Sequence, residues 1–305
     1  EGCFTLVLDD FGGDWLQVFL QQHRLYAIEF LEIAIQLATV LHDLHECSVI
    51  HKDIKPSNII LNPNTGQVKL TDFSIATRLA KEERQANDTN LLEGTLAYLS
   101  PEQTGRMNRS LDYRTDFYSL GVTFYEMLTG RLPFPFTDPL EMIHAHLTRI
   151  PKPPHQVDPE IPVAISDIVM KLLAKNAEDR YQSALGLKAD LETCWTQLRE
   201  RGTIASFTVG SLDRAGQLLI PQKLYGRDRE VERLMQAFDC ASIGKTTALF
   251  ASGYSGIGKT SVINEIHKPI VCQRGYFVRG KFDQFKRNIP YSALTQAFQS
   301  LVRQL

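Results

Sequence analysis

Four side chains within twenty positions carry what phosphoryl transfer needs. Asp53, Lys55 and Asn58 lie in the run His51-Lys52-Asp53-Ile54-Lys55-Pro56-Ser57-Asn58, and Asp72 opens Asp72-Phe73-Ser74. Moving a phosphoryl group to a hydroxyl calls for a carboxylate that orients the attacking oxygen, a cation beside the moving phosphate, and oxygen ligands for magnesium. Asp53, Lys55 and the pair Asn58 and Asp72 meet those demands in turn. Further along, Gly253-Tyr254-Ser255-Gly256-Ile257-Gly258-Lys259-Thr260 fits G-x-x-x-x-G-K-[ST]. Backbone amides of such a loop cradle phosphates, the lysine reaches the outer phosphates and the threonine hydroxyl holds magnesium. Nucleotide is therefore expected at Gly253, Ser255, Gly256, Gly258, Lys259 and Thr260.

The flanking patterns say which elements hold these residues. From Ala27 to His45 the polar residues Glu29, Glu32, Gln36, Thr39 and Asp43 recur at steps of three and four, which predicts a helix buried on most faces. Ile59-Ile60-Leu61 and Val68-Lys69-Leu70 flank the turn-forming Asn62-Pro63-Asn64-Thr65-Gly66, which predicts a hairpin. Its two ends bring Asn58 and Asp72 together across 14 positions. Phe4 to Leu8 reads as a short strand, and a helix is expected from about Asp14. Helical patterns cover Phe117–Leu128, Leu140–Leu147, Val163–Leu173 and Ala184–Leu198, with proline-rich breaks between.

After that the character changes. Residues 200–222 hold few large apolar side chains and read as a linker. Thr247–Ala251 is expected as a strand, Lys259–His267 as a helix, Tyr276–Val278 as a second strand and the stretch from Ser292 as a terminal helix. That order argues for a parallel sheet. The strand and helix matter, because composition alone produces a glycine-loop pattern in roughly one chain in a hundred. The nearby Gly244-Lys245-Thr246 has no such context and is set aside.

The segment around Asp53 resembles the eukaryotic-type protein kinases, whose catalytic loop reads H-R-D-x-K-x-x-N and whose metal motif is D-F-G. Ser100-Pro101-Glu102 stands where that family has A-P-E, and Asp116 with Gly121 fits its D-x-W-S-x-G helix. The resemblance implies that Asp53 and Lys55 are catalytic, that Asn58 and Asp72 hold magnesium, and that Thr95 contacts the substrate. It makes Glu102, Asp116 and Arg180 architectural, Arg180 pairing with Glu102. Lysine two positions after the catalytic Asp implies serine/threonine specificity.

Two residues depart from the family pattern. Lys52 replaces its Arg and loses the bidentate fork that would hold an activation-loop phosphate. Ser74 replaces the Gly of D-F-G and removes backbone freedom there. The glycine-rich phosphate cover, the strand lysine and its helix glutamate are not found, since Phe4 to Gly13 already resembles the last small-lobe strand and hinge. The expectation is a large lobe only, so that these 305 residues alone bind ATP poorly at that site although the parent protein is a kinase.

Leu224-Tyr225-Gly226-Arg227-Asp228-Arg229-Glu230 resembles the entry motif of AAA-type and STAND signalling ATPases. A kinase lobe followed by a P-loop ATPase resembles the bacterial multi-sensor signal transduction kinases, which implies further signalling modules in the same polypeptide. Neither a Walker B carboxylate nor an arginine finger is found, so nucleotide binding is expected more firmly than hydrolysis.

Composition agrees with this reading. At 43% hydrophobic and 22% charged residues the chain has the make-up of a folded, water-exposed protein. Five scattered cysteines without a C-x-x-C pair point to a reducing compartment and to neither a disulfide framework nor a zinc cage. Residues 224–305 carry 12 Lys and Arg against 6 Asp and Glu, while the preceding part carries 21 against 29. The basic charges are scattered rather than striped, so no nucleic-acid partner is expected. No apolar run approaches a membrane span, and His42 with His45 or His144 with His146 lack a third ligand.

The combined expectation is a mainly α kinase C-lobe with short hairpins at 1–199, a linker at 200–222, and the beginning of an α/β P-loop NTPase domain at 223–305. It would be a cytoplasmic enzyme using ATP and Mg2+ on a protein substrate with a Ser or Thr acceptor. The alternative is a non-catalytic pseudokinase scaffold with a nucleotide-switched P-loop module.

Overall fold

The computed structural model describes residues 11–78, 95–104, 111–214, 226–254, 256–266, 269–270, 276–278, 280 and 291–302. The expected strand Phe4–Leu8 and the loop residue Ser255 lie outside the described residues. The chain divides into two compact units, the described part of the first ending at Arg214 and that of the second beginning at Gly226.

In the first unit a short strand β1 (Asp14–Trp15) leads into α1 (Leu16–Gln22). The helix expected from Asp14 thus starts two residues later, because Asp14 and Trp15 pair antiparallel with Leu61 and Ile60. Next comes α2 (Ala27–Glu46), which buries Phe30, Leu31, Ile33, Ala34, Leu37, Ala38 and Leu41 and leaves Glu29, Glu32 and Asp43 wet. A capping box opens this helix, with Tyr26 N–H donating to Glu29 Oε2 at 2.8 Å. Strand β2 (Val49–Ile50) precedes the run from His51 to Asn58, and the expected hairpin, β3 (Ile59–Leu61) and β4 (Val68–Leu70), follows it with Ile59 opposite Leu70. Gln36 of α2 clamps the hairpin turn, donating to Gly66 O at 2.8 Å and accepting from Val68 N at 3.0 Å. Strand β5 (Thr77–Arg78) returns to pair with β2.

The centre of this unit is α3 (Arg114–Thr129), buried on nearly every face. It packs with α5 (Pro154–Val157), α6 (Val163–Leu172) and α7 (Ala184–Arg201) around one core, and its Tyr118 meets His146 of α4 (Pro139–Thr148). Phe124 of α3 meets Phe30 of α2 edge to face at 5.1 Å. Each such fully buried side chain contributes roughly 1.5–3 kcal/mol of transfer free energy.

Two sequence expectations need correction here. The start of the linker is not a free connection: Ile204, Phe207 and Val209 pack against the core of the first unit, and 203–213 runs back over α7. Three apolar residues spaced through an otherwise polar stretch are too few to show a period, yet enough to dock it. In the second unit, α8 (Asp228–Ser242), α9 (Lys259–Asn264) and α10 (Ser292–Val302) form, but Thr247–Ala251 and Tyr276–Val278 are not strands. The parallel sheet is therefore absent among the described residues. A strand exists only where a neighbour takes its N–H and C=O groups. Here Phe250 stands 94% exposed.

Candidate active site and nucleotide loop

The run from His51 to Asn58 is held from below by one carboxylate. Asp116 is fully buried on α3 and accepts from His51 N–H at 3.0 Å and Lys52 N–H at 2.8 Å, with His45 Nε2 3.1 Å away. Thr123, two turns on, donates to Ile54 O at 3.3 Å. These contacts fix a backbone that has no regular partner of its own. Lys52 stands in the left-handed region at φ 71°, a strained conformation for a residue with a Cβ.

Asp53 gathers three donors around its carboxylate. Lys55 Nζ reaches Oδ2 at 2.6 Å, Asn58 Nδ2 reaches the same oxygen at 3.0 Å, and Thr95 N–H donates to Oδ1 at 3.2 Å. Lys55 also donates to Thr95 Oγ1 at 2.6 Å. Asn58 sits at the end of a single helical turn, Pro56–Asn58, that delivers the chain into β3. Asp53, Lys55, Asn58 and Thr95 thus converge on one point.

Asp72 reaches the site by way of the hairpin. Thr71 N–H donates to Asn58 O at 2.9 Å, closing the two ends, and His51 Nε2 lies 3.0 Å from Thr71 O. Asp53 N–H donates to His51 Nδ1 at 3.3 Å. His51 thus bridges the Asp53 run and the Asp72 segment through its two ring nitrogens. Asp72 itself is exposed, with φ 63°. Hydrogen bonds from the Ser74 side chain and backbone, aided by the charges of Lys55 and His51, hold its carboxyl below the ordinary value. An ionised, water-facing carboxylate results. Ser74 is not in the left-handed region, so a residue with a Cβ fits there without strain.

The loop 95–104 is tied to the same helix. Ser119 donates to Tyr98 O at 2.8 Å, and Thr115 donates to Glu102 Oε1 at 2.8 Å. Arg180 grips Glu102 with both nitrogens, at 2.6 and 2.8 Å, and donates to Arg114 O at 2.9 Å. Burial alone would raise the Glu102 carboxyl, but the Arg180 guanidinium and its hydrogen bonds outweigh this and leave it below the ordinary range. Two further contributors carry no sequence signal. Gln103 Nε2 donates to Lys52 O at 2.9 Å, and Tyr98 gives its hydroxyl proton to Glu126 Oε2 at 2.5 Å. Both depend on where a loop lands rather than on a spacing.

In the second unit the glycine loop runs from Gly253 to α9. Gly256 and Gly258 take φ values of 82° and 90°, which residues with a Cβ rarely adopt and glycine takes without strain. Lys259 folds back, donating to Gly253 O and Tyr254 O at 2.8 Å each. Arg227 of the entry segment donates to Ile257 O at 3.3 Å and pairs with Glu230 at 3.0 Å. The basic group that would meet a phosphate is already on the loop, and Thr260 follows it on the helix.

Residues 2–191 match the protein kinase domain family, and residues 223–305 match the AAA ATPase domain family. The chain belongs to the protein kinase family. It carries an AAA ATPase domain after the kinase domain. It is 32% identical, over 90% of its length, to hybrid signal transduction histidine kinase G of Dictyostelium discoideum, covering 10% of that protein. A probable serine/threonine-protein kinase of Streptomyces coelicolor is 37% identical over 62% of the chain, which covers 28% of that relative. Serine/threonine-protein kinase PknB of Mycobacterium leprae is 40% identical over 53% of the chain and is covered to 25%. The chain therefore spans less than a third of the length of each. Kinase and AAA ATPase domains both imply use of ATP. Among the described residues no helix is long and apolar enough to cross a membrane.

Proposed function

We propose that the first unit is the catalytic large lobe of a serine/threonine protein kinase, and that the second begins a P-loop ATPase that regulates it within one signalling polypeptide. The observation that carries the reading is the closed set of contacts among Asp53, Lys55, Asn58 and Thr95. In this assignment residues 1–199 are the lobe, 200–222 lead away from it with their first part docked on its core, and 223–305 open the ATPase. The parent protein acts in the cytoplasm on protein hydroxyls, alongside further signalling modules.

Asp53 orients the Ser or Thr hydroxyl of the substrate and takes up its proton, while Lys55, bonded to Asp53 and to Thr95, places a positive charge where the phosphoryl group passes. Thr95 aligns the substrate chain. Asn58 turns its amide nitrogen to Asp53 and so keeps its carbonyl oxygen for a cation; with the ionised Asp72 it offers the hard oxygen ligands that suit Mg2+. Mg2+ would supply charge neutralisation of the phosphates. In the second unit Gly253, Ser255, Gly256, Gly258, Lys259 and Thr260 would hold a second nucleotide.

Transfer of radiolabelled phosphate from ATP by the full-length protein tests this. Asp53→Asn and Asp72→Ala are each expected to lower kcat by about 100-fold or more. Equal transfer by both variants and the wild type would remove the enzyme and leave a docking scaffold with a nucleotide-switched loop.

A further inference from the structure

The kinase match ends at residue 191, yet the described chain stays on the first unit as far as Arg214. Besides the packing of Ile204, Phe207 and Val209, the docked stretch makes directed polar contacts. Ala205 N–H donates to Gln197 Oε1 at 2.8 Å. Gly210 N–H donates to Asp190 Oδ2 at 2.6 Å, an oxygen that also accepts from the buried Tyr181 hydroxyl at 2.6 Å. Asp213 binds most tightly: Oδ2 accepts from Gln182 N–H at 2.6 Å and Oδ1 from Ser183 Oγ at 2.9 Å. Ser183 is the N-cap of α7, accepting from Gly186 N–H at 3.0 Å, so the Asp213 charge sits where the helix dipole favours an anion. The fit is close. A Cβ added at Gly186 would lie 2.3 Å from Asp213 Oδ1 and 2.7 Å from its Cβ.

Gln182 carries this contact inward. Its carbonyl accepts from the Tyr113 hydroxyl at 2.8 Å and its Oε1 from Arg114 Nη1 at 2.8 Å. Tyr113 and Arg114 open α3, and two residues later Asp116 accepts the His51 and Lys52 amides. Every step is a hydrogen bond between half-buried or buried groups, the setting in which a lost partner costs most.

We propose that residues 203–213 form a strap that completes the kinase unit, and that Asp213 is a positioning residue which, through Gln182, sets the first turn of α3 and hence the catalytic loop. The effect on phosphate transfer rests on the kinase reading above; the effect on the loop does not. Without the Asp213 carboxylate, the Gln182 N–H loses its acceptor, and only the side-chain bonds of Gln182 Nε2 to Ala177 O, Glu178 O and Arg180 O still hold it against Arg114 and Tyr113. The turn that presents Asp116 then loosens.

The test compares full-length wild type with Asp213→Ala and Gly186→Ala. The second variant is informative because Ala is favoured over Gly inside a helix by about 1 kcal/mol, so a docked strap reverses the expected sign. Chymotryptic cleavage after Phe207 reads strap release, and amide hydrogen exchange at His51 and Lys52 reads the loop. Exchange within Val163–Leu172 reads the rest of the core, and kcat with KM for ATP reads catalysis. Both variants should speed Phe207 cleavage and His51–Lys52 exchange by about tenfold, leave Val163–Leu172 within about twofold, and lower kcat more than KM changes. Unchanged cleavage in both variants overturns the strap. Faster cleavage with unchanged exchange at His51 and Lys52, or with an equal rise in Val163–Leu172, overturns the positioning role. If wild type transfers no phosphate while the exchange response holds, the kinase reading falls and the strap stands. Should Asp213→Ala fail to fold, Gly186→Ala together with Asp213→Asn, which keeps one acceptor oxygen, carries the same comparison.

Discussion

The His51–Asn58 run of the first unit and the glycine loop of the second, the two proposed phosphate sites, are built in opposite ways. Asp116 reaches back 64 and 65 positions to hold Lys52 and His51, and Arg180 reaches 78 to hold Glu102. Lys259, by contrast, binds carbonyls five and six residues away, and Arg227, which donates to Ile257 O, lies 30 positions off. The first site is a product of a whole packed core. The second is a short-range conformation carried by glycines and one helix start. Distant support makes a site precise and also vulnerable, since a change far from the chemistry is transmitted to it; local support makes a site tolerant.

The largest blow to this contrast is aimed at Glu102. Glu102→Gln leaves the buried Arg180 guanidinium without its anion, and we expect a loss of about 3–5 kcal/mol in the first unit, read by denaturant unfolding through Trp195 fluorescence. Because the Glu102 carboxyl is held below its ordinary value, the wild-type contribution is complete at neutral pH and is lost as pH falls through that depressed value. A loss under about 1 kcal/mol would mean that the site does not lean on its distant clamp.

A smaller effect is expected at Lys175, where burial and then the Arg180 charge push the ammonium down to about 7. Its Nζ donates to the Tyr118 hydroxyl and Ala145 O at 3.2 Å each and lies 4.6 Å from the Phe134 ring centroid, with His146 on the far side of Tyr118. The unfolded chain keeps this proton up to about 10.5 and the folded chain releases it near 7, so the unfolded state binds more protons between those values. Stability must therefore rise with pH across that window, by up to about 1.4 kcal/mol per unit. Lys175→Met should flatten the rise and be the more stable protein at pH 7, measured as thermal midpoints from pH 6.5 to about 10. An unchanged slope would place the titration elsewhere.

The smallest change in stability belongs to the second site. Lys259→Ala should alter unfolding of either unit by less than about 0.5 kcal/mol while weakening binding of a fluorescent ATP analogue to the glycine loop at least about tenfold. A large loss of stability would show that this loop, too, is tied into distant structure.

How legible each part was follows the same division. The α2 helix and the β3–β4 hairpin were readable because their signals, a repeat of three and four or a turn cluster between two short β-like runs, lie within one stretch of chain. The pairing of Glu102 with Arg180 was readable only through resemblance to kinases; nothing in the intervening 77 residues announces it. The expected strand at Thr247–Ala251 failed for a related reason: a threonine and four apolar residues describe a strand's composition, but its hydrogen bonds must come from elsewhere. The docked stretch after Arg201 escaped notice because Ile204, Phe207 and Val209 follow neither a helical nor a strand period.

Residue order alone, then, settles the identity of the reactive groups, the helices with strong periodicity and the glycine pattern, since each is encoded by neighbours within a few turns of chain. Folding adds what depends on enclosure: the left-handed backbone at Lys52 and Asp72, the full burial of Asp116 and the grip of Asp213 on Gln182. Such features need partners dozens of residues away, because a strained backbone and a buried charge are tolerated only where several remote groups close around them at once.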